Sequence, residues 1–280
     1  MSTVDDSVTP PSFMYGTAWK EEETKRLTKL AVRCGFRAID TANQRKHYFE
    51  AAVGEALEEA IEEGLVEREE LFLQTKFTYE RGQDHRLPYD VDAPFPTQVE
   101  QSLASSLEHL RTDYVDSLVL HGPSTPTGLA EADRQVWQTM EALSRTDKVG
   151  VIGVSNISAP QLTQLIEFAE VSPTFVQNRC FARNGWDAKV RRICRDEDII
   201  YQGFSLLTAN RRELAIPKIS EIANEHDKTV PQVIFRFAIE VGMLPLTGTT
   251  SEEHMRQDLE CLDFRLSEDE VEFIEGAGVL

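Results

Sequence analysis

Hydrophobic positions form short, nearly continuous apolar runs that alternate with segments in which apolar residues recur every three or four positions. The short runs, such as LFLQTKF (71–77) and VGVIGVSN (149–156), have the length and composition of strands covered on both faces. The longer segments, such as HYFEAAVGEALEEAIEEG (47–64), have the period of amphipathic helices. Eight strand-then-helix units follow one another along the chain.

This alternation predicts right-handed βαβ crossovers and a parallel sheet. Eight units in 280 residues favour an α/β fold closed into a (β/α)8 TIM barrel. No GxGxxG follows the first strand, which disfavours an open dinucleotide-binding sheet. We expect residues 1–11 to be a disordered lead and residues 12–280 to be one barrel domain. We also expect no hairpin before the first strand and only a short C-terminal tail.

Composition narrows the class of protein. The net charge is −19, so the phosphate backbone of a nucleic acid would be repelled. No apolar run approaches the roughly 18 residues that span a bilayer, and the N-terminus has no secretory pattern. The cysteines lie far apart and are expected to be free thiols in the cytoplasm. They are Cys34, Cys180, Cys194 and Cys261.

Polar and ionisable side chains follow most of the predicted strands. In a barrel these carboxyl ends meet at one face, where the chemistry is located. His121 is the only strand-end histidine, so the sequence predicts no metal site. The strand-end residues are Asp40, Lys76, His121, Ser155, Asn156, Gln177, Phe204 and Ser205.

Together with Tyr48, three of these positions form a proton-donating group. A tyrosine has an ordinary pKa of about 10 and is a poor acid at neutral pH unless a cation stabilises its phenolate. Lys76 would supply that cation, and Asp40 would keep Lys76 charged and oriented. His121 would donate a hydrogen bond to a carbonyl oxygen of the substrate.

At these positions the chain resembles the aldo-keto reductase superfamily. The resemblance extends from GTAW (16–19) to QDLECLDF (257–264), and its motifs are very specific as an ordered set. Those motifs are FRAIDTA (36–42), LFLQTKF (71–77), YVDSLVLHGP (114–123), VGVIGVSNIS (149–158), VQN (176–178) and FSLL (204–207).

The resemblance implies reversible hydride transfer between a nicotinamide cofactor and an aldehyde or ketone. The cofactor would be NADP(H) or NAD(H), and the protein would be a monomer or a weak homo-oligomer. Tyr48 would be the general acid, assisted by Asp40, Lys76 and His121. The alternative is a member of the same fold that binds the cofactor as a sensor without turnover.

The resemblance also implies a set of contacts to cofactor and substrate. The expected cofactor-binding residues are Gly16, Thr17, Ala18, Asp40, Ser155, Asn156, Gln177, Phe204, Ser205, Leu207, Gly248, Thr249, Thr250, His254 and Asp258. The expected substrate pocket consists of Trp19, His47, Tyr48, Phe77 and His121. Packing inside the barrel is the alternative for Trp19 and Phe77, as it is for Tyr79 and Trp186.

One departure from the family pattern concerns the tyrosine. The family usually has DxAxxYxxE, whereas Tyr48 lies eight residues after Asp40. Counting back from Glu50 places the family's tyrosine on His47 instead. Because a lysine-assisted acid needs a phenol, we favour Tyr48 and keep His47 as the alternative.

A second departure concerns the phosphate site. Gly248 and His254 stand where the family commonly has lysine and arginine, and Asp258 stands in place of asparagine. Loss of these cations predicts a relaxed preference for NADP(H) over NAD(H).

The loop at 78–96, which follows the third strand, is long, and its length predicts a functional lid.

Overall fold

Each apolar run forms one strand of a closed parallel barrel in the computed structural model, which describes residues 11–278. The strands hydrogen-bond in chain order, and β1 pairs with β8 to close the barrel. The predicted (β/α)8 fold is therefore confirmed. The strands are β1 Met14–Gly16, β2 Ala38–Asp40, β3 Phe72–Phe77, β4 Val115–Leu120, β5 Val149–Ser155, β6 Phe175–Arg179, β7 Ile200–Phe204 and β8 Met243–Thr247.

Helices surround the barrel, and β7 is followed by two of them before the chain returns to β8. Their inward faces carry the apolar positions that recur every three or four residues. The helices are α1 Thr24–Cys34, α2 Glu50–Glu62, α3 Phe95–Leu110, α4 Glu131–Leu143, α5 Ala159–Phe168, α6 Ala188–Asp196, α7 Pro217–Glu225, α8 Val230–Glu240, α9 Glu252–Leu259 and α10 Glu268–Gly276.

Two predictions concern the start of the chain: a disordered lead and the absence of a hairpin before β1. Residues 1–10 of the predicted disordered lead lie outside the described residues, so that prediction stays untested. Within residues 11–278 the chain enters β1 with no preceding strand. β1 is shorter than the apolar run FMYGTAW because the backbone turns at Trp19, whose φ is 62°.

The interior of the barrel has an apolar floor beneath a polar layer. The floor is an apolar cluster of buried side chains from five strands, and one of them, Leu246, also borders the cleft; the members are Met14, Ala38, Phe72, Phe175, Leu244 and Leu246. Above it, Gln74 donates to Gln202 Oε1 at 2.9 Å, and Gln202 donates back to Gln74 Oε1 at 3.0 Å. This amide layer fills the space below Asp40 with satisfied hydrogen bonds and fixes the base of the site.

The remaining features of the fold agree with an ordinary barrel. The four cysteines are free thiols, as predicted, and three of them are buried. Trp186 is also buried, and its indole donates to the Ile274 carbonyl at 2.9 Å, so it packs the barrel wall. In the described part of the chain, no helix has the length and apolar character needed to cross a membrane.

Candidate active site

The site lies at the carboxyl ends of the strands, as barrel geometry requires. A cleft of about 770 Å³ opens there. Nearly all of the predicted cofactor and substrate residues border it. Those present in its wall are Gly16, Ala18, Trp19, Asp40, His47, Tyr48, His121, Ser155, Asn156, Gln177, Phe204, Ser205, Leu207, Gly248, Thr249, Thr250, His254 and Asp258.

A buried ion pair forms the base of the site. Lys76 Nζ lies 2.6 Å from Asp40 Oδ1 and 2.7 Å from the carbonyl oxygen of Thr41. The side chain of Lys76 is fully buried and that of Asp40 is 4% exposed. Asp40 Oδ1 also accepts hydrogen bonds from the amides of Gln74 and Gln177, at 2.7 and 3.0 Å. The carboxylate therefore holds the ammonium group in one position.

Tyr48 lies against this ion pair. The ammonium of Lys76 is 5.1 Å from the centroid of the Tyr48 ring. On its other side, the Tyr48 ring meets the His121 imidazole edge to face, with the centroids 5.9 Å apart. Two of the other three predicted catalytic side chains, Lys76 and His121, thus face Tyr48, and the third, Asp40, reaches it through Lys76.

The expanded turn before Tyr48 is held by side-chain hydrogen bonds. Gln44 Nε2 donates to the Gly82 carbonyl at 2.6 Å, and the Gln44 carbonyl accepts from the backbone nitrogens of His47 and Tyr48. Asn43 Nδ2 donates to the Ser102 carbonyl at 2.9 Å. These bonds shift the register by one residue, so that Tyr48 rather than His47 faces the ion pair.

His47 instead occupies the rim of the cleft. Its ring stacks on Trp19 with centroids 4.0 Å apart, and its carbonyl accepts the Trp19 backbone N–H at 2.7 Å. Trp19 is 71% exposed, which is unusual for so large an apolar side chain. The two rings, tilted by 36° to each other, form an aromatic wall at the entrance.

The pKa of Tyr48 differs from the sequence-based expectation. Burial, followed by the negative charge of Asp40, raises the pKa of the phenol well above its ordinary value. The cation of Lys76 was expected to lower it. Because Asp40 neutralises that cation directly, desolvation dominates, and the phenol keeps its proton in the protein alone.

His121 is held as a neutral ring. Burial, then the positive charge of Lys76, lowers the pKa of His121 to about 3. Its Nδ1 lies 2.7 Å from the hydroxyl oxygen of Thr78, which fixes the orientation of the ring. The imidazole is thus uncharged throughout the neutral pH range.

Amide and hydroxyl groups form the wall beside this acid group. Ser155 donates to the Gln177 carbonyl at 2.6 Å, and Asn156 Nδ2 donates to the His121 carbonyl at 2.8 Å. Asn156 and Ser205 hold left-handed backbones, with φ of 51° and 57°. Non-glycine residues in this region carry strain, which is typical of functional sites.

The far end of the cleft contains a cation, Lys20, that the sequence motifs did not indicate. Lys20 Nζ donates to the Gly248 carbonyl at 2.7 Å, and a Cβ added at Gly248 would lie 3.8 Å from that nitrogen. Burial lowers the pKa of Lys20 to about 8. Its position directly after GTAW, at the end of the first strand unit, was the available signal.

Asp258 borders the same end of the cleft. Its Oδ2 accepts a hydrogen bond from the Thr247 hydroxyl at 2.7 Å, and burial raises the pKa of Asp258 to about 6.

Helix α8 supplies further walls of the cleft that the sequence did not indicate. The unpredicted residues around the cleft are Lys20, Leu206, Thr208, Thr229, Pro231, Phe235, Leu246, Thr247 and Gln257.

Two of the predicted site residues, Phe77 and Thr17, lie outside the cleft. Phe77 is fully buried and packs against Tyr79 and Tyr89, because its side chain points from β3 towards the helices rather than into the cleft. Thr17 is also fully buried, and its hydroxyl donates to the Asp40 carbonyl at 3.0 Å. Neither lines the cleft, so their positions give no support to the assignment of Phe77 to the substrate pocket or of Thr17 to the cofactor site, and both assignments stay predictions.

The long loop at 78–96 supports the tyrosine turn from behind. Gln83 Nε2 donates to the Asn43 carbonyl at 2.8 Å, and Tyr89 donates to the Thr78 carbonyl at 2.7 Å. No residue of this loop lines the cleft. In this structure the loop braces the turn, and its predicted role as a lid stays a prediction.

Comparison with known proteins identifies the family. The sequence profile of the Aldo/keto reductase family matches residues 12–278. D-galacturonate reductase from Fragaria ananassa is 31% identical over 96% of this chain and 86% of its own length. An uncharacterized oxidoreductase of Bacillus subtilis (strain 168), YtbE, is 29% identical over 98% of this chain and 91% of its own length. The crystal structure of a Bombyx mori aldo-keto reductase in complex with NADP has a TM-score of 0.81 and 26% identity, covering 98% of this chain and 91% of that one. Because the profile match takes in every strand of the barrel and the whole cleft, the chain belongs to the aldo/keto reductase family.

Proposed function

We propose that this protein reduces aldehydes or ketones to alcohols with a nicotinamide cofactor. Family membership makes it an oxidoreductase, and the site supports this reaction. One observation carries the proposal. Tyr48 and His121 border a single cleft, and the buried Asp40–Lys76 ion pair lies directly behind Tyr48.

The side chains around the cleft fit a nicotinamide cofactor. Gln177 directs its amide nitrogen inward to Asp40 and Gln202, and within residues 11–278 its Oε1 accepts no hydrogen bond. That oxygen, with Ser155 and Asn156, can hold a carboxamide in the cleft wall. When bound, the cofactor supplies the hydride, and the protein supplies binding and orientation.

Proton donation is the task assigned to Tyr48. Its raised pKa keeps the phenol protonated until negative charge builds on the substrate oxygen. The hydroxyl then donates its proton to that oxygen, while the Lys76 ammonium beside the ring stabilises the phenolate left behind. Burial lowers the pKa of Lys76, and the hydrogen-bonded carboxylate of Asp40 opposes that effect by favouring the ammonium form.

Substrate orientation is assigned to His121. A Thr78 hydroxyl that donates to Nδ1 leaves the proton of the neutral ring on Nε2. That N–H can donate to the carbonyl oxygen of a substrate without competing as an acid, because the pKa of His121 lies near 3. The stacked Trp19 and His47 rings offer an apolar surface to the rest of the substrate.

We expect the cleft to bind both NADP(H), which carries a 2′-phosphate, and NAD(H), which does not. The Bombyx mori relative is described in complex with NADP, which supports NADP(H) here. Gly248 and His254 replace two expected cations, and this weakens discrimination for a 2′-phosphate. Lys20 beside Gly248 retains one positive charge at this end of the cleft.

Replacing Lys20 with methionine should weaken cofactor binding about tenfold or more, because a charge-assisted contact to phosphate is lost. The contribution of Lys20 to cofactor affinity depends on pH. Since burial holds the pKa of Lys20 near 8, the ammonium is present below that pH and lost above it. The Kd of the wild type should therefore rise between pH 7 and pH 9, whereas that of Lys20→Met should stay flat. Fluorescence titration with NADPH measures both.

The matched control for this experiment is Lys218→Met, which removes an exposed lysine on α7 outside the cleft. It should change neither the Kd nor its dependence on pH. An unchanged Kd in Lys20→Met would remove Lys20 from the cofactor site.

A panel of aldehydes and ketones, assayed with NADPH and with NADH, tests the proposed function. We expect turnover of at least one carbonyl and comparable KM values for the two cofactors. A strong preference for NADPH would contradict the relaxed specificity alone. Cofactor binding without turnover of any carbonyl would favour a sensor, and no binding of either cofactor would contradict the reductase assignment.

A further inference from the structure

A second cavity lies on the face of the barrel opposite the active site. It has a volume of about 520 Å³ and is bordered by α6, by Ile199 and Tyr201 at the start of β7, and by Val241 and Gly242 before β8. These are the amino ends of the strands, whereas the reductase cleft opens at their carboxyl ends. The two cavities are therefore separate.

The lining of this cavity is strongly basic. Helix α6 has the sequence AKVRRICRD and presents four cations to the cavity, which are Lys189, Arg191, Arg192 and Arg195. Glu275 is the one acid in its described lining, and it is bound to Arg191. This concentration of positive charge stands out in a chain with 48 acidic and 29 basic residues.

Most of these cations lack the acidic partners found on other helices. On α1, for example, Lys29 lies 2.8 Å from Glu59 and 2.7 Å from Glu63. Within residues 11–278, Lys189 and Arg192 form no ion pair, and Arg195 has only a 3.4 Å contact with its neighbour Asp196. Neighbouring like charges repel one another, so binding an anion between them would relieve that repulsion.

Arg191 gives the cavity a fixed floor. Its Nε donates to the Trp186 carbonyl at 2.8 Å and its Nη1 to the Val241 carbonyl at 3.3 Å. The side chain is only 11% exposed. Because its nitrogens are engaged by these carbonyls and by Glu275, Arg191 anchors the wall of the cavity, whereas the exposed Arg192 and Arg195 side chains are free to close on a ligand.

We propose that this cavity binds a small polyvalent anion, such as an organic phosphate. Its volume falls within the range of roughly 300–1,000 Å³ typical of small-molecule sites. Arginine side chains recognise phosphate and carboxylate groups through paired N–H donors. The apolar border at Ile199 and Val241 would accommodate the carbon skeleton of the ligand. The inference does not depend on the proposed reductase function.

Isothermal titration with inorganic pyrophosphate, and with ATP as the organic probe, tests this site. Wild type should bind ATP saturably, with an affinity that falls as salt is raised. The double variant Arg192→Gln/Arg195→Gln should weaken binding at least tenfold. The charge reversal Lys189→Glu should do the same. Both change exposed side chains, and circular dichroism checks that each variant is folded.

Two matched controls locate the binding. Arg145→Gln removes an exposed arginine outside the cavity and should leave binding unchanged. Lys20→Met removes the cation of the reductase cleft and should also leave binding at the second cavity intact. Loss of binding in Lys20→Met but not in the α6 variants would assign the anion to the cleft and overturn the proposal. Absence of saturable binding by both probes would overturn it as well.

Discussion

Tyr48→Phe is expected to lower kcat for carbonyl reduction by about 10²–10⁴-fold, the usual contribution of a positioned general acid. The substitution removes only the hydroxyl. The ring that faces His121 and Lys76 remains, so the wall of the cleft and the fold should be preserved. Affinity for NADPH should stay close to that of the wild type. Single-turnover kinetics and fluorescence titration measure the two quantities separately.

His47→Ala is the matched control, because His47 is the other residue that the sequence offers as the acid. Its ring stacks on Trp19 at the entrance and does not face Lys76. We therefore expect a change in KM for bulky substrates with kcat largely retained. If His47→Ala is the inactive variant and Tyr48→Phe is active, the assignment of the acid is wrong.

The sequence predicted the barrel because each strand unit carries its own signal. The runs at β3 and β5, for instance, carry Lys76 and Ser155 at or next to their last residue, and the parallel arrangement alone brings such ends together. Seven of the residues that line the cleft followed from this principle, whereas others, such as Gly248 and His254, were expected only from the family resemblance. Phe77 and Thr17 lie outside the cleft because neighbouring residues on or beside a strand point to opposite faces, which a list of strand ends does not resolve.

The register of Tyr48 depends on contacts distant in sequence. The turn is held by Gln44 bonding to Gly82 and by Asn43 bonding to Ser102, and neither partner can be recognised from the segment itself. The glutamine layer under Asp40 is a further example. Gln74 and Gln202 occur in apolar runs and lie opposite each other only after the barrel closes.

The pKa of Tyr48 could not be inferred from residue types either. Lysine and aspartate near a phenol have opposite effects, and the outcome depends on which of them is closer to the ring and on how much water remains. Here the ion pair neutralises itself and burial decides the direction. Electrostatic predictions from sequence need the distances that only the fold supplies.

Lys76→Met is expected to abolish turnover and also to destabilise the protein. Removing one partner of a buried ion pair leaves an uncompensated charge and typically costs about 3–5 kcal/mol of unfolding free energy. Asp40 would keep its bonds from Gln74 and Gln177 but would lose the ammonium at 2.6 Å. Denaturant unfolding measures the stability, and the carbonyl assay measures kcat.

The double variant Asp40→Asn/Lys76→Met separates the two effects. With both charges removed, no unpaired charge stays buried, so much of the lost stability should return because replacement of a whole buried pair is often close to neutral. Activity should not return, since the cation beside the Tyr48 ring is still missing. Recovery of turnover together with stability would show that Lys76 acts only through the fold. A stable but inactive double variant would instead support a direct electrostatic role of Lys76 in proton donation.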